Sequence, residues 1–149
     1  MQKNILVIYG STTGNSESLA IYIQQYISIK AKVTVVNVVD LQQNFSFAGY
    51  DVYILVTSTW GIEPADLQED FAYFWQYVNK DSINGKSFMI LGLGDAYYPY
   101  FAYGVDILVA DIIHFKGKVL GKGLKIQDNW EERLCSINNY LKLLLSKLN

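Results

Sequence analysis

Residues 10–17 read GSTTGNSE and follow directly on the apolar run NILVIY. Gly10 and Gly14 allow a tight turn and a close backbone approach. Ser11, Thr12, Thr13, Asn15 and Ser16 supply short hydrogen-bonding side chains. A helix starting here would aim its free N–H groups and positive dipole end into the loop, which makes an anion site. The loop is not that of a nucleoside triphosphatase, because GxxxxGK[ST] requires a lysine and none is present. A terminal monophosphate held by neutral donors fits. Taken alone, the loop fits a plain turn capped by Ser and Thr as well.

Two further stretches add an aromatic component. In TSTWGIEPAD, residues 57–66, Trp60 ends an apolar run but stands among Thr57, Ser58, Thr59 and Gly61. A core tryptophan would not have such neighbours, and Gly61 suggests a backbone needing conformations closed to other residues. In GLGDAYYPYFAYG, residues 92–104, Tyr97, Tyr98, Tyr100, Phe101 and Tyr103 crowd into seven residues of chain. They cannot all be core. They make either an aromatic wall for a flat ring or an exposed protein-binding patch. Phosphate and flat ring together describe one ligand, flavin mononucleotide (FMN). Its phosphate is never transferred, so neither Lys nor Mg²⁺ is needed to stabilise a leaving group.

Such loops need a scaffold, and the periodicity predicts one. Ile5–Tyr9, Val33–Val39, Val52–Thr57 and Phe88–Leu93 are short, continuous apolar runs suited to strands buried on both faces of a parallel sheet. A weaker fifth strand lies around Lys118–Ile126, broken by Gly121 and Gly123. Amphipathic stripes alternate with the strands. They are Leu19, Ile23, Tyr26 and Ile27; then Leu67, Phe71, Phe74, Trp75 and Val78 after Pro64; then Val105, Leu108, Val109, Ile112 and Ile113; then Trp130, Leu134, Ile137, Leu141 and Leu144. The pattern predicts an open five-stranded parallel sheet covered on both sides, read as a single domain over residues 1–149. Ligands of such sheets bind beyond the carboxyl ends of the strands where the order reverses, which is where the three loops fall.

Composition narrows the function classes. Apolar residues make up 51% and charged residues 17%, as in a globular protein. No run reaches the roughly 18 residues of a membrane span. The N-terminus reads as a strand rather than a signal peptide. Cys135 and His114 are each the only residue of their type. That leaves no internal disulfide and makes a metal site or a histidine triad improbable, so both are read as ordinary helix residues. A reducing cytoplasm is the simplest compartment. The net charge is −2, but it is polarised: residues 57–75 carry Glu63, Asp66, Glu69 and Asp70 and no Lys or Arg. No basic stripe for nucleic acid lies beside the loops.

YGSTTGNSE at 9–17, STWG at 58–61, DLQEDF at 66–71 and GDAYYPYF at 94–101 resemble, in that order, the short-chain flavodoxin family. The likeness spans nearly the whole chain. It implies sheet order 2-1-3-4-5 and a monomeric, low-potential one-electron carrier, not an enzyme, whose non-covalent FMN works mainly between semiquinone and hydroquinone. By the same resemblance, Ser11, Thr13, Asn15 and Ser16 hold the phosphate with the backbone amides of residues 12–16, Thr12 and Gly14 among them. Ser58 and the Trp60 indole N–H add to it, beside Thr59. Trp60 covers one ring face and Tyr98 the other, in a loop with Gly94, Tyr100 and Phe101. Asp95 and Ala102 offer backbone N–H groups to the pyrimidine end. The Gly61 peptide flips toward the ring on reduction. Ser16 replaces a usual Thr, and Ile62 replaces a frequent acid. Redox partners such as a ferredoxin–NADP reductase would dock at the flavin edge through Glu63, Asp66, Glu69 and Asp70.

Two rivals stay open at this level. An FMN-dependent NAD(P)H reductase of a quinone-like substrate would need room beside the ring, against which the Tyr-filled third loop argues. A phosphorylated receiver domain would end strands 1 and 3 in acids, where Tyr9-Gly10 and Thr57-Ser58 stand.

Overall fold

The computed structural model describes residues 2–60 and 66–148. Strand β1 (Lys3–Tyr9) is followed by α1 (Asn15–Ile27), β2 (Ala31–Asn37), β3 (Val52–Trp60) and a two-residue β4 (Asp66–Leu67). Then come α2 (Glu69–Tyr77), β5 (Ser87–Gly94), α3 (Tyr103–His114), β6 (Lys118–Val119), β7 (Leu124–Gln127) and α4 (Leu134–Leu145). The main path of the sheet runs β2-β1-β3-β5-β6, and β7 pairs with the same strand, β5. All of these pairings are parallel; only β4 runs antiparallel, its Leu67 opposite Thr59 of β3. The expected order 2-1-3-4-5 is therefore observed. The expected fifth strand is two short strands on one edge, separated where Gly121 and Gly123 adopt φ of 67° and 79°.

The continuous apolar runs are buried on both faces because successive side chains point to opposite sides. Ile5, Val7, Ile54, Val56, Met89 and Leu91 pack against Leu19, Ile23 and Ile27 of α1 and Ile137, Leu141 and Leu144 of α4. On the other face, Leu6, Ile8, Tyr53, Leu55, Phe88 and Ile90 pack against Phe71, Phe74 and Trp75 of α2 and Val105, Leu108 and Ile112 of α3.

Several expected boundaries move, and β3 runs on to Trp60 rather than ending at Thr57. Val38–Asp40 is a 3₁₀ turn, with the Asn37 side chain accepting from the Val39 N–H, so β2 ends before Val38. Leu67 lies in β4, and α2 begins only at Glu69; its core-facing residues are Phe71, Phe74 and Trp75. Trp130 lies in a 3₁₀ turn before α4, while Leu134 and Ile113 are exposed members of their stripes. Pro64 lies outside the described residues.

Tyr53 of β3 is fully buried, with the Phe47, Tyr50 and Phe88 rings 5.0, 5.8 and 5.6 Å from its own. Its hydroxyl makes no hydrogen bond of ordinary geometry among the described residues. Burial pushes its pKa up to about 12, the Tyr50 backbone offsetting only part of that rise. Below pH about 10 the phenol is neutral in both folded and unfolded chains. As pH rises from about 10 to 12 only the unfolded chain ionises at this residue, so about 2 kcal/mol of stability is lost. Tyr53→Phe is expected to remove that loss. At neutral pH it should be neutral or stabilising by about 1 kcal/mol, since an orphaned buried hydroxyl disappears. Urea unfolding of both proteins at pH 7 and near pH 11 checks this; a variant clearly weaker at pH 7 would mean that the hydroxyl is bonded.

Candidate functional site

The carboxyl ends of β1, β3 and β5 are adjacent in the sheet, and the strand order reverses between β1 and β3. The three loops singled out in the sequence leave from these three ends.

The first loop, residues 10–14, turns directly into α1. Gly14 precedes the helix with φ 94°, a left-handed conformation that glycine adopts without strain, and no side chain caps the helix. The Ser11 hydroxyl instead accepts from the Gly14 N–H at 2.9 Å, folding the loop back on itself. The first N–H groups of α1 thus lack the side-chain acceptor that usually serves a helix start. Ser16 is buried, and its hydroxyl lies 3.0 Å from that of Ser58 at the end of β3. Thr12 and Thr13 are exposed, and Ser11 and Asn15 are half-buried. Tyr9, whose hydroxyl donates to Glu17 at 2.7 Å, has its pKa raised by burial and by that carboxylate.

The second stretch ends β3. Thr57 is buried, Ser58 and Thr59 are half-buried, and Trp60 is 45% exposed. The other two tryptophans, Trp75 and Trp130, are 4% and 7% exposed, so Trp60 alone is held out of the core. Thr59 accepts a 2.7 Å hydrogen bond from the Gly104 N–H and fastens the start of α3 to this strand. Gly61, Ile62 and Glu63 lie outside the described residues.

The third loop, 95–102, is folded by its own polar groups. The Asp95 carboxylate accepts from the Tyr97 N–H at 2.9 Å and from Gln127 at 3.3 Å, while the Tyr98 N–H donates to the Asp95 carbonyl. Tyr97 and Tyr98 meet edge to face, as do Tyr100 and Tyr103, and all four are exposed. Ala102 is buried with φ 47°, a left-handed conformation rare outside glycine, and its backbone packs closely against Gly94. Phe101 is half-buried and lines a cavity together with Ala96, Ile126 and Arg133. Asp128, whose N–H donates to the Gly94 carbonyl, has its carboxyl pKa raised by burial and then by Asp95.

Sequence reasoning missed Gln68. It is 1% exposed; its carbonyl oxygen caps α2 by accepting from the Phe71 N–H at 3.0 Å, and its amide donates to Thr12 at 2.9 Å. Its backbone N–H donates to the Ser58 carbonyl. One residue therefore joins three segments: its side chain links the first loop to the start of α2, and its backbone N–H adds the end of β3. Gln127 does similar work in the third loop, accepting from the Ala96 N–H at 2.9 Å. Glutamine is not a favoured helix cap, and Gln127 acts on a loop 31 residues away along the chain, so neither residue carried a signal.

The assembled site has neutral hydroxyls and free helix amides at one end, exposed aromatics at the other, and carboxylates around it. Asp66, Glu69 and Asp70 are exposed beside it, and the three loops contain no Lys or Arg. The described residues hold no cluster of His, Cys, Asp and Glu fit for a metal.

The family model described as Flavodoxin matches residues 7–135. A flavodoxin of Maridesulfovibrio salexigens is 35% identical over 127 residues, covering 85% of this chain and 87% of that relative. Flavodoxin 1 of Bacillus cereus, solved in its oxidised form, superposes with a TM-score of 0.76 at 28% identity, over 93% of this chain and 97% of the other. Fusobacterium nucleatum flavodoxin, solved bound to flavin mononucleotide, shares the fold with a TM-score of 0.79 at 17% identity, over 99% and 100%. On its own site geometry and on these likenesses together, the chain belongs to the flavodoxin family.

Proposed function

We propose that this chain is an electron carrier, not an enzyme, and that it works with non-covalently bound FMN. The observation that carries the reading is the pairing of an uncapped, lysine-free helix start with a tryptophan held out of the core at the end of the neighbouring strand. The donor set fits FMN: neutral hydroxyls and amides suit a monophosphate that is bound but not transferred, and Trp60 and Tyr98 suit a flat ring.

Bound there, FMN supplies one-electron chemistry. The rest is the work of the protein. Ser11, Thr12, Thr13, Asn15 and Ser16, with the amides around Gly14, hold the phosphate, and Ser58 and Thr59 close that end. Trp60 and Tyr98 cover the ring and exclude water from it. Gly94, Asp95, Tyr100, Phe101 and Ala102 shape the loop at the ring's polar edge. Asp66 and Asp95, with no cation among the loops, make added negative charge unfavourable and so hold the potential low. Gly61 and Ile62 are assigned to the same site from the sequence.

The same reading gives a single domain over 1–149, working as a monomer in the cytoplasm. A redox partner such as a ferredoxin–NADP reductase would meet the acidic segment Glu63, Asp66, Glu69 and Asp70. No helix among the described residues is long and apolar enough to cross a membrane.

The test is direct. The purified protein should be yellow, and heating should release FMN. Release of FAD, or a colourless protein that does not take up FMN, would sink the reading. Trp60→Ala and Tyr98→Ala should each weaken FMN binding by about 1–3 kcal/mol, in the range of aromatic stacking on a flat base. Titration of the apoprotein followed by flavin fluorescence measures this; unchanged dissociation constants in both variants would remove the ring from between these side chains.

A further inference from the structure

Away from the three loops, a cavity of about 240 Å³ lies between the segment after β2 and α2. Asp70, Tyr73, Phe74 and Tyr77 form its α2 wall at the i, i+3, i+4 and i+7 positions of one helix face, opposite Val39 and Gln43. Val39, Tyr73 and Tyr77 are 60%, 54% and 43% exposed, so three large apolar side chains meet water at one place. A soluble surface rarely concentrates them without use. The wall is also preorganised. The Tyr73 and Tyr77 rings lie 4.9 Å apart, and Gln43 donates to the Tyr73 hydroxyl at 2.6 Å.

The groove is one-sided in charge. Asp70 lines it, Asp40 and Glu69 belong to the same two chain segments, and residues 38–43 and 69–77 contain no Lys or Arg. The nearest cation along the chain, Lys80, is turned away: its ammonium donates to the Trp75 carbonyl and lies 5.5 Å over the Trp75 ring, on the side of Asp111. The cavity also touches the candidate site, since the Gln68 amide that donates to Thr12 lies 3.3 Å from the Asp70 carboxylate. Its volume is below the roughly 300–1,000 Å³ of small-molecule pockets and suits a single anchoring side chain.

We propose that this groove anchors a basic segment of a partner protein, with an aromatic side chain between Val39 and the Tyr73–Tyr77 pair and a neighbouring Lys or Arg on Asp70. That the partner is a redox protein rests on the electron-carrier reading; the groove and its charge do not. Docking here places the partner beside the phosphate loop, reached through Gln68.

The experiment is amide chemical-shift mapping of the FMN-loaded, ¹⁵N-labelled protein titrated with the acetylated, amidated tripeptide Lys-Trp-Lys, with Glu-Trp-Glu as the control. The expected result is saturable shifts at Val39, Tyr73 and Tyr77 that weaken as salt rises. Binding should fall by about fivefold or more in Tyr73→Ala and about threefold in Asp70→Asn. Val39→Ser takes the place of Tyr73→Ala should that variant not fold. Shifts confined to residues 94–103, an equal response to Glu-Trp-Glu, or unchanged affinity in the variants would overturn the proposal. So would equally tight binding of N-acetyl-tryptophanamide, which would make this a small-molecule site. Concentration-dependent shifts of the same amides without peptide would give the groove to a second copy of the chain and overturn it too. Flavin absorbance separates the two readings: bound flavin with a silent groove sinks this proposal alone, whereas a protein without flavin sinks the carrier.

Discussion

Replacing Gly94 by alanine is expected to destabilise the protein by about 3 kcal/mol, the upper end of the usual range for overpacking, and to weaken FMN binding at least tenfold. Gly94 ends β5, where the third loop leaves the sheet. A Cβ there would lie 2.8 Å from the Ala102 nitrogen, 3.1 Å from its Cα and 3.4 Å from its Cβ. The obstacle is backbone, so no rotamer change relieves it. Ala102 cannot retreat easily either. It already holds a left-handed φ of 47°, and two residues later the Gly104 N–H is fastened to Thr59. Relief requires the start of α3 and residues 95–102 to move together, and Tyr98 and the Ala102 N–H move with them. Urea unfolding of the apoprotein and flavin titration separate the two effects. A variant as stable as the parent that binds FMN equally well would show that the loop is not held by this contact. Loss of affinity with full stability would mean that the loop shifts without disturbing the core.

What the sequence disclosed and what it withheld divide along physical lines. The strands were legible because a run such as Ile5–Tyr9 must bury both faces, and alternate residues do reach opposite cores. The first loop was legible as a polar turn at a helix start because its residue types are incompatible with a core, and the exposure of Trp60 because its neighbours are polar. Boundaries were less legible where a local hydrogen bond overrides periodicity. Asn37 stops β2 by bonding the Val39 N–H, and Leu67 joins a two-residue strand because the end of β3 offers it a partner. The fifth strand was read as one weak element, since its two glycines show a break but not that both pieces return to β5. Gln68 and Gln127 were illegible. Their roles depend on which loops the fold brings together, and nothing in their neighbourhood along the chain records that. The family resemblance assigned the ring-covering side chains; it did not reveal how the loops carrying them are tied to one another.

Replacing Gln68 by leucine tests that tie, and it is expected to destabilise the protein by about 2–3 kcal/mol. Losing a helix cap costs about 1 kcal/mol, and leaving a buried N–H without a partner costs about 1–3 kcal/mol. These are two measures of one bond, and the larger applies here, because the Phe71 N–H bonded by Gln68 belongs to a fully buried residue. Leucine keeps most of the volume, so little of the loss comes from a cavity. The second effect is on the first loop. With the amide gone, Thr12 loses its tie to α2, and the donors around Gly14 must be ordered by the ligand itself, so FMN binding should weaken as well. A double-mutant cycle isolates that link. Thr12→Ala breaks the bond to Thr12 but leaves the α2 cap intact, and the two substitutions together should be less costly than their sum by about 1 kcal/mol. Urea unfolding with and without FMN supplies the four corners of the cycle. Strict additivity, with FMN affinity unchanged in Gln68→Leu, would reduce Gln68 to a helix cap and leave the phosphate loop to stand without it.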